Sequence, residues 1–90
     1  MTEPAPEAPV NPGDRFVWDH PDGLGYGQMY HANQVLTAEM TELDIKNGQE
    51  VTYMQDDDEG WRLVEWVDDQ NVERITAIDR SSFQNYFNPI

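Results

Sequence analysis

The chain has no cysteine, which removes disulfides, thiolate nucleophiles and cysteine-ligated zinc from consideration. Cations are almost as scarce: Lys46 is the only lysine, and five Lys and Arg stand against 18 Asp and Glu, a formal charge of −13. A surface field of that sign repels phosphate backbones and anionic lipid, so direct binding to nucleic acid or a membrane is not expected. Long apolar runs are missing too. No stretch approaches the ~18 consecutive apolar residues of a membrane span, and the amino terminus lacks the basic region and apolar run of a secretory signal. The expected setting is the cytoplasm, or the virion if the chain is viral.

What the chain does have is rings. Its 38% hydrophobic content includes Phe16, Trp18, Tyr26, Tyr30, Tyr53, Trp61, Trp66, Phe83, Tyr86 and Phe87, each able to bury a large apolar area. Ninety residues build one such core, not two. Residues 1–13 contribute little to it. They carry Pro4, Pro6, Pro9 and Pro12 among small and acidic residues, a composition that resists helix and sheet alike. The division expected is an extended proline-rich arm over 1–13, either a flexible tail or a strap, and one small β-barrel domain over 14–90. A domain this size rarely encloses a ligand-sized cavity of roughly 300 Å³ or more, so binding is favoured over catalysis.

Turn residues then mark out strands. Arg15 to Trp18 is an aromatic and β-branched run between Pro12-Gly13 and His20-Pro21-Asp22-Gly23, the signature of a first strand. Gly23, Gly25 and Gly27 alternate with Leu24 and Tyr26, which predicts an irregular stretch or twisted hairpin arm where backbones pass closely. Residues 28–40 are ambiguous. Met29, Ala32, Val35, Leu36 and Met40 approximate helical spacing, while Val35-Leu36-Thr37 suits a strand; the β-like flanks favour a strand or long hairpin arm, with a short helix as the alternative. Beyond Leu43 and Ile45 the pattern is clear. The turn Lys46-Asn47-Gly48-Gln49 leads to a strand over 50–55, the acidic turn Asp56 to Gly60 to one over 61–67, and Asp68-Asp69-Gln70-Asn71 to one over 72–78. Three short strands with polar turns predict a small antiparallel sheet or barrel. In the last stretch capping residues from Asp79 precede Phe83, Tyr86 and Phe87, which predicts a single helical turn folding its rings onto the barrel.

Five segments, in order, carry a resemblance to a known fold: Phe16-Val17-Trp18-Asp19-His20, Glu42-Leu43-Asp44-Ile45, Lys46-Asn47-Gly48-Gln49, Gly60-Trp61-Arg62 and Phe83-Gln84-Asn85-Tyr86-Phe87. They resemble the landmarks of the Src-homology-3 family, with the strongest portion from Glu42 to Tyr86. The resemblance implies a mainly β fold, a small five-stranded antiparallel barrel, and a shallow groove that stacks against polyproline-type peptides while loop acids hold a basic residue. Its matching positions are Trp18, His20, Trp61, Phe83 and Tyr86, with Asp56, Asp57, Asp58 and Glu59 as the acids. The sequence departs from the pattern where Phe83 replaces the groove proline, His20 replaces a groove tyrosine, and extra residues separate the first two motifs.

Other chemistry has weaker grounds. Asp56 to Gly60 lacks the alternating ligands and twelfth-position Glu of a calcium loop and is read as a solvated turn. His20 and His31 have no i, i+4 partner of ligand type, and Ser81 and Ser82 are simpler as helix-capping residues than as nucleophiles. No cofactor and no metal is expected. Among the rings, Phe16 and Trp66 are expected in the core, and Trp61, directly after a polar turn, on the surface. The expected function is a non-catalytic protein-interaction or assembly module docking a partner that is basic, a copy of itself or a capsid subunit. Two alternatives are a capsid decoration or head-completion protein strapped by its arm, and an acidic DNA mimic inhibiting a DNA-binding protein.

Overall fold

Short runs of β-branched and aromatic residues separated by Asp, Asn and Gly favour successive antiparallel hairpins over residues 50–78. The computed structural model describes residues 10–30 and 44–90. Within them the order is β1 (Arg15–Trp18), α1 (Tyr26–Tyr30), β2 (Glu50–Asp56), β3 (Arg62–Val67), β4 (Glu73–Ile78), α2 (Arg80–Tyr86) and β5 (Phe87–Pro89). The five strands form one antiparallel sheet in the order β4-β3-β2-β1-β5. The chain is thus mainly β with little helix. The sheet is open among the described residues, its edges being β4 and β5. No helix there is long and apolar enough to cross a membrane.

The hairpin turns over 57–61 and 68–72 are built alike. Asp57 and Asp68 each donate N–H to the carbonyl four residues on, at 2.8 and 3.0 Å. Each turns its carboxylate back onto the loop, Asp57 Oδ1 accepting from the N–H groups of Glu59 and Trp61 and Asp68 Oδ1 from those of Gln70 and Val72. Gly60 and Asn71 supply the left-handed residue, at φ 86° and 63°; asparagine is the side chain that tolerates it best after glycine. These hydrogen bonds, foremost the one from Val72, with the Arg74 guanidinium at 2.5 Å, hold the Asp68 carboxyl below the ordinary aspartate range.

Strand alternation sends Phe16, Trp18, Val51, Tyr53, Val64, Trp66 and Ile78 to one side, where Ile45, Phe83 and Phe87 complete the core. Trp18 is fully buried and ringed by Tyr26, Tyr86 and Phe87 at 5.0–5.6 Å. Its indole N–H donates to the Leu24 carbonyl at 2.7 Å, so the polar end of a buried ring is satisfied. Arg62 is buried too, its guanidinium 4.6 Å from the Phe83 ring centre.

Three expectations change. Gln28 to Tyr30 belong to helix α1 rather than to a strand or hairpin arm; residues 31–40, like arm residues 1–9, lie outside the described ones. α1 fits there because Gly27 within it and Gly25 just before it admit a close neighbour: a Cβ at Gly27 would collide with the Asp44 carboxylate, and one at Gly25 would meet the Ile45 carbonyl at 3.0 Å. Backbone passes closely at Gly25, whereas Gly27 meets a side chain. The terminal helical turn is the seven-residue α2, capped by the Asp79 carboxylate accepting from Ser82 N–H. The chain does not end on it. Phe87 leaves the helix in extended conformation and pairs with Trp18, so 87–89 supply the fifth strand, on the far side of β1.

Candidate functional site

A side chain can dock a partner only if the fold leaves it exposed, and that test separates the residues singled out in the sequence. Trp18 and Phe83 lie in the core and His20 is nearly as covered. His20 packs at a tilt on the half-buried Tyr86, ring centres 4.6 Å apart, and its Nδ1 accepts from the Asp22 N–H at 3.1 Å. Trp18, His20 and Tyr86 are therefore brought together in one packed ring cluster. Phe83 packs elsewhere, edge-on to Phe16 at 4.9 Å. The physical reason is β1 itself: paired on both sides, by β2 and β5, it turns Phe16 and Trp18 inward by alternation. Trp18, His20 and Phe83 are thus covered, and Tyr86 alone of this set is partly exposed.

Trp61 is different. It emerges from the Asp57 turn at 40% exposure, and the turn is pinned from outside as well as within. Arg80, the first residue of α2, donates from Nε to the Gly60 carbonyl at 2.8 Å and pairs with Asp56 at 2.5 Å. Asp56 also accepts the Tyr53 hydroxyl at 2.8 Å. Of the four loop acids, Asp56 and Asp57 are thus engaged by the protein's own donors, while Asp58 and Glu59 are exposed on the turn beside Trp61. The result is an exposed indole on a rigid mount with carboxylates beside it.

A second pinned region anchors α1. The hydroxyls of Tyr26 and Tyr30 both donate to Asp79 Oδ1, at 2.8 and 2.5 Å, and the Tyr30 hydroxyl lies 2.7 Å from Ser82 Oγ. Burial, reinforced by the Asp79 charge, holds Tyr26 far above the ordinary tyrosine range, so it stays a neutral donor. For Asp79 burial acts upward, but the hydrogen bonds from Tyr30, Ser82 and Tyr26 outweigh it and keep the carboxyl below its ordinary range.

A cleft of about 600 Å³ opens beside β5, with Val10, Phe16, Arg62, Phe83 and Phe87 among its walls. Val10 packs against the core there, which seats the end of the proline-rich segment on the domain. Sequence reasoning also passed over Val67, Val72 and Ile75, exposed at 41%, 46% and 59%. The signal was available: with Trp66 inward, alternation puts Val67 outward, and cross-strand pairing with Glu65 carries Ile75 to the same outer face.

Fold and surface together define a small mainly β protein that presents an exposed, acid-flanked aromatic. Comparison with protein-family models, curated proteins and solved structures finds no match for it.

Proposed function

We infer that the chain is a non-catalytic docking module that grips a basic partner protein through Trp61, with Asp58 and Glu59 supplying the complementary charge. The observation that carries this reading is the mount of Trp61. The turn that bears this exposed ring is held by Asp57 and Arg80, which lowers the entropy cost of binding. Tryptophan is also the residue most enriched among interface anchors. The overall charge of −13 selects for cationic partners and speeds their encounter.

The Src-homology-3-like reading of the sheet as a small barrel is supported by its five antiparallel strands, by β1 lying between β2 and β5, and by the helical segment preceding the last strand. Polyproline stacking of the kind that family implies draws less support, since Trp18, His20 and Phe83 are covered.

The test is affinity capture from the native source with wild-type and Trp61→Ala baits of equal thermal stability. A partner band lost with the variant is the expected result; equal capture by both baits overturns the assignment of Trp61.

A further inference from the structure

An antiparallel sheet has two borders, and each must dispose of a row of backbone donors and acceptors. The two borders of this sheet do so differently. β5 is three residues long and contains Pro89, which has no N–H to offer. β4 has six residues, Glu-Arg-Ile-Thr-Ala-Ile, in unbroken register with β3 from Arg62↔Ile78 to Val67↔Glu73. It contains no proline and no lysine, and the register shift in the sheet lies in β2, between Tyr53 and Gln55. Among the described residues β3 is its only strand neighbour.

The direction of the outward groups follows from the hairpin. The Asp68 N–H to Val72 carbonyl bond makes that pair a hydrogen-bonded one. Antiparallel pairs alternate, so Arg74, Thr76 and Ile78 face β3 and the N–H and C=O groups of Glu73, Ile75 and Ala77 point away from the sheet. Ile75 is exposed in β4 itself, and of the six large apolar side chains exposed among the described residues three more lie near it in the chain: Val72 in the turn before β4, Val67 at the end of β3 and Trp61 just before β3. Glu65 and Glu73 stand between them, paired across the strands with Ile75 and Val67.

We propose that β4 accepts an additional strand from a partner protein, an extended segment that carries apolar residues and Lys or Arg on one and the same face. Its backbone pairs with Glu73, Ile75 and Ala77, and on the outer face that these three residues share its apolar side chains cover Ile75 while its cations meet Glu73. A second copy of this chain is the poorer occupant, because two molecules each carrying −13 repel. The proposal rests on the docking reading above, deepening it by naming the partner's chemistry.

The test is a titration of the ¹⁵N-labelled full chain with a capped peptide repeating lysine-threonine-valine-threonine, which puts lysine and valine on one face. A peptide repeating lysine-proline-valine-proline serves as an equally charged and equally apolar-faced control that cannot pair as a strand. The expected result is slowed amide exchange at Glu73, Ile75 and Ala77 with the threonine-bearing peptide alone, and affinity reduced about tenfold or more in Ile75→Lys, a loss typical of an interface anchor. That variant changes an exposed side chain, and its ¹⁵N spectrum and melting temperature report that it folds. Equal binding of both peptides, or slowed exchange confined to other strands, overturns the proposal. So does sedimentation showing a dimer with those amides protected before any peptide is added, since the border is then taken by a second copy. Partner capture lost in Trp61→Ala but kept in Ile75→Lys removes strand addition and leaves the docking reading standing.

Discussion

Trp66 and Trp61 lie in and just before the same strand, yet Trp66 is 3% exposed, its indole N–H donating to Thr76 Oγ1 at 2.8 Å, while Trp61 is 40% exposed. The contrast extends to the two sides of the sheet. On the inner side Trp18 packs against Tyr86 at a tilt and against Phe87 edge to face. On the outer side of the β3–β4 hairpin, Trp61, Val67 and Ile75 are left exposed. Both sides carry large apolar groups, so composition does not distinguish a core from an exposed face. Strand parity and what lies opposite do.

The sharpest way to break this contrast is to remove a ring from the inner side. Trp18→Ala should cost about 3–5 kcal/mol, the range for truncating a buried large aromatic, which is a large fraction of the stability of a small domain; urea denaturation of the variant measures it. Opposing the close approach at α1 comes next. Gly27→Ala drives a methyl into the Asp44 carboxylate and should cost about 1–3 kcal/mol, the range for forced overpacking, read as a lower denaturation midpoint at unchanged slope. Asp79→Ala removes both a helix cap and the acceptor shared by Tyr26 and Tyr30. A loss of about 1–2 kcal/mol is expected, the upper part of the capping range.

Acid sharpens the comparison in a different way. Asp68 and Asp79 have folded-state pKa values below ordinary. Carboxylates of this kind stabilise fully above the unfolded value near 4 and lose that contribution as pH falls through the folded one. Melting temperature should therefore decline below about pH 4. In Asp68→Asn the decline should be shallower, because one of the two titrating groups is gone; an unchanged acid limb would show that Asp68 is not responsible. The smallest effect belongs to the outer side. Trp61→Ala and Ile75→Lys should each stay within about 0.5 kcal/mol of wild type, as surface substitutions do, and a loss of several kcal/mol in either would mean that this side is covered in the folded monomer.

Much of this architecture is legible in local chemistry alone. Strands β1 to β4 can be read from the sequence within a residue at each end, because Asn-Gly and Asp-rich turns punctuate them, and Trp61 stands out because it follows such a turn directly. β5 cannot be read that way. Three residues carry no period, and Phe87-Asn88-Pro89 becomes a strand only because β1 offers a free edge beside it. α1 is hidden for a similar reason, since glycine at 25 and 27 argues against helix unless the close approach of Asp44 and Ile45 is taken into account. For the site, the motif resemblance draws Trp18, His20 and Phe83 towards a groove. Short motifs specify which residues follow one another; how many strands flank each, and hence which side chains are covered, is a property of the whole sheet.

The unequal borders of that sheet limit how far association can run. If β4 receives a strand as proposed, the three-residue, proline-bearing strip on the opposite flank offers no equivalent border among the described residues. Growth by edge pairing would then stop at a single step, a finite complex in place of a fibre.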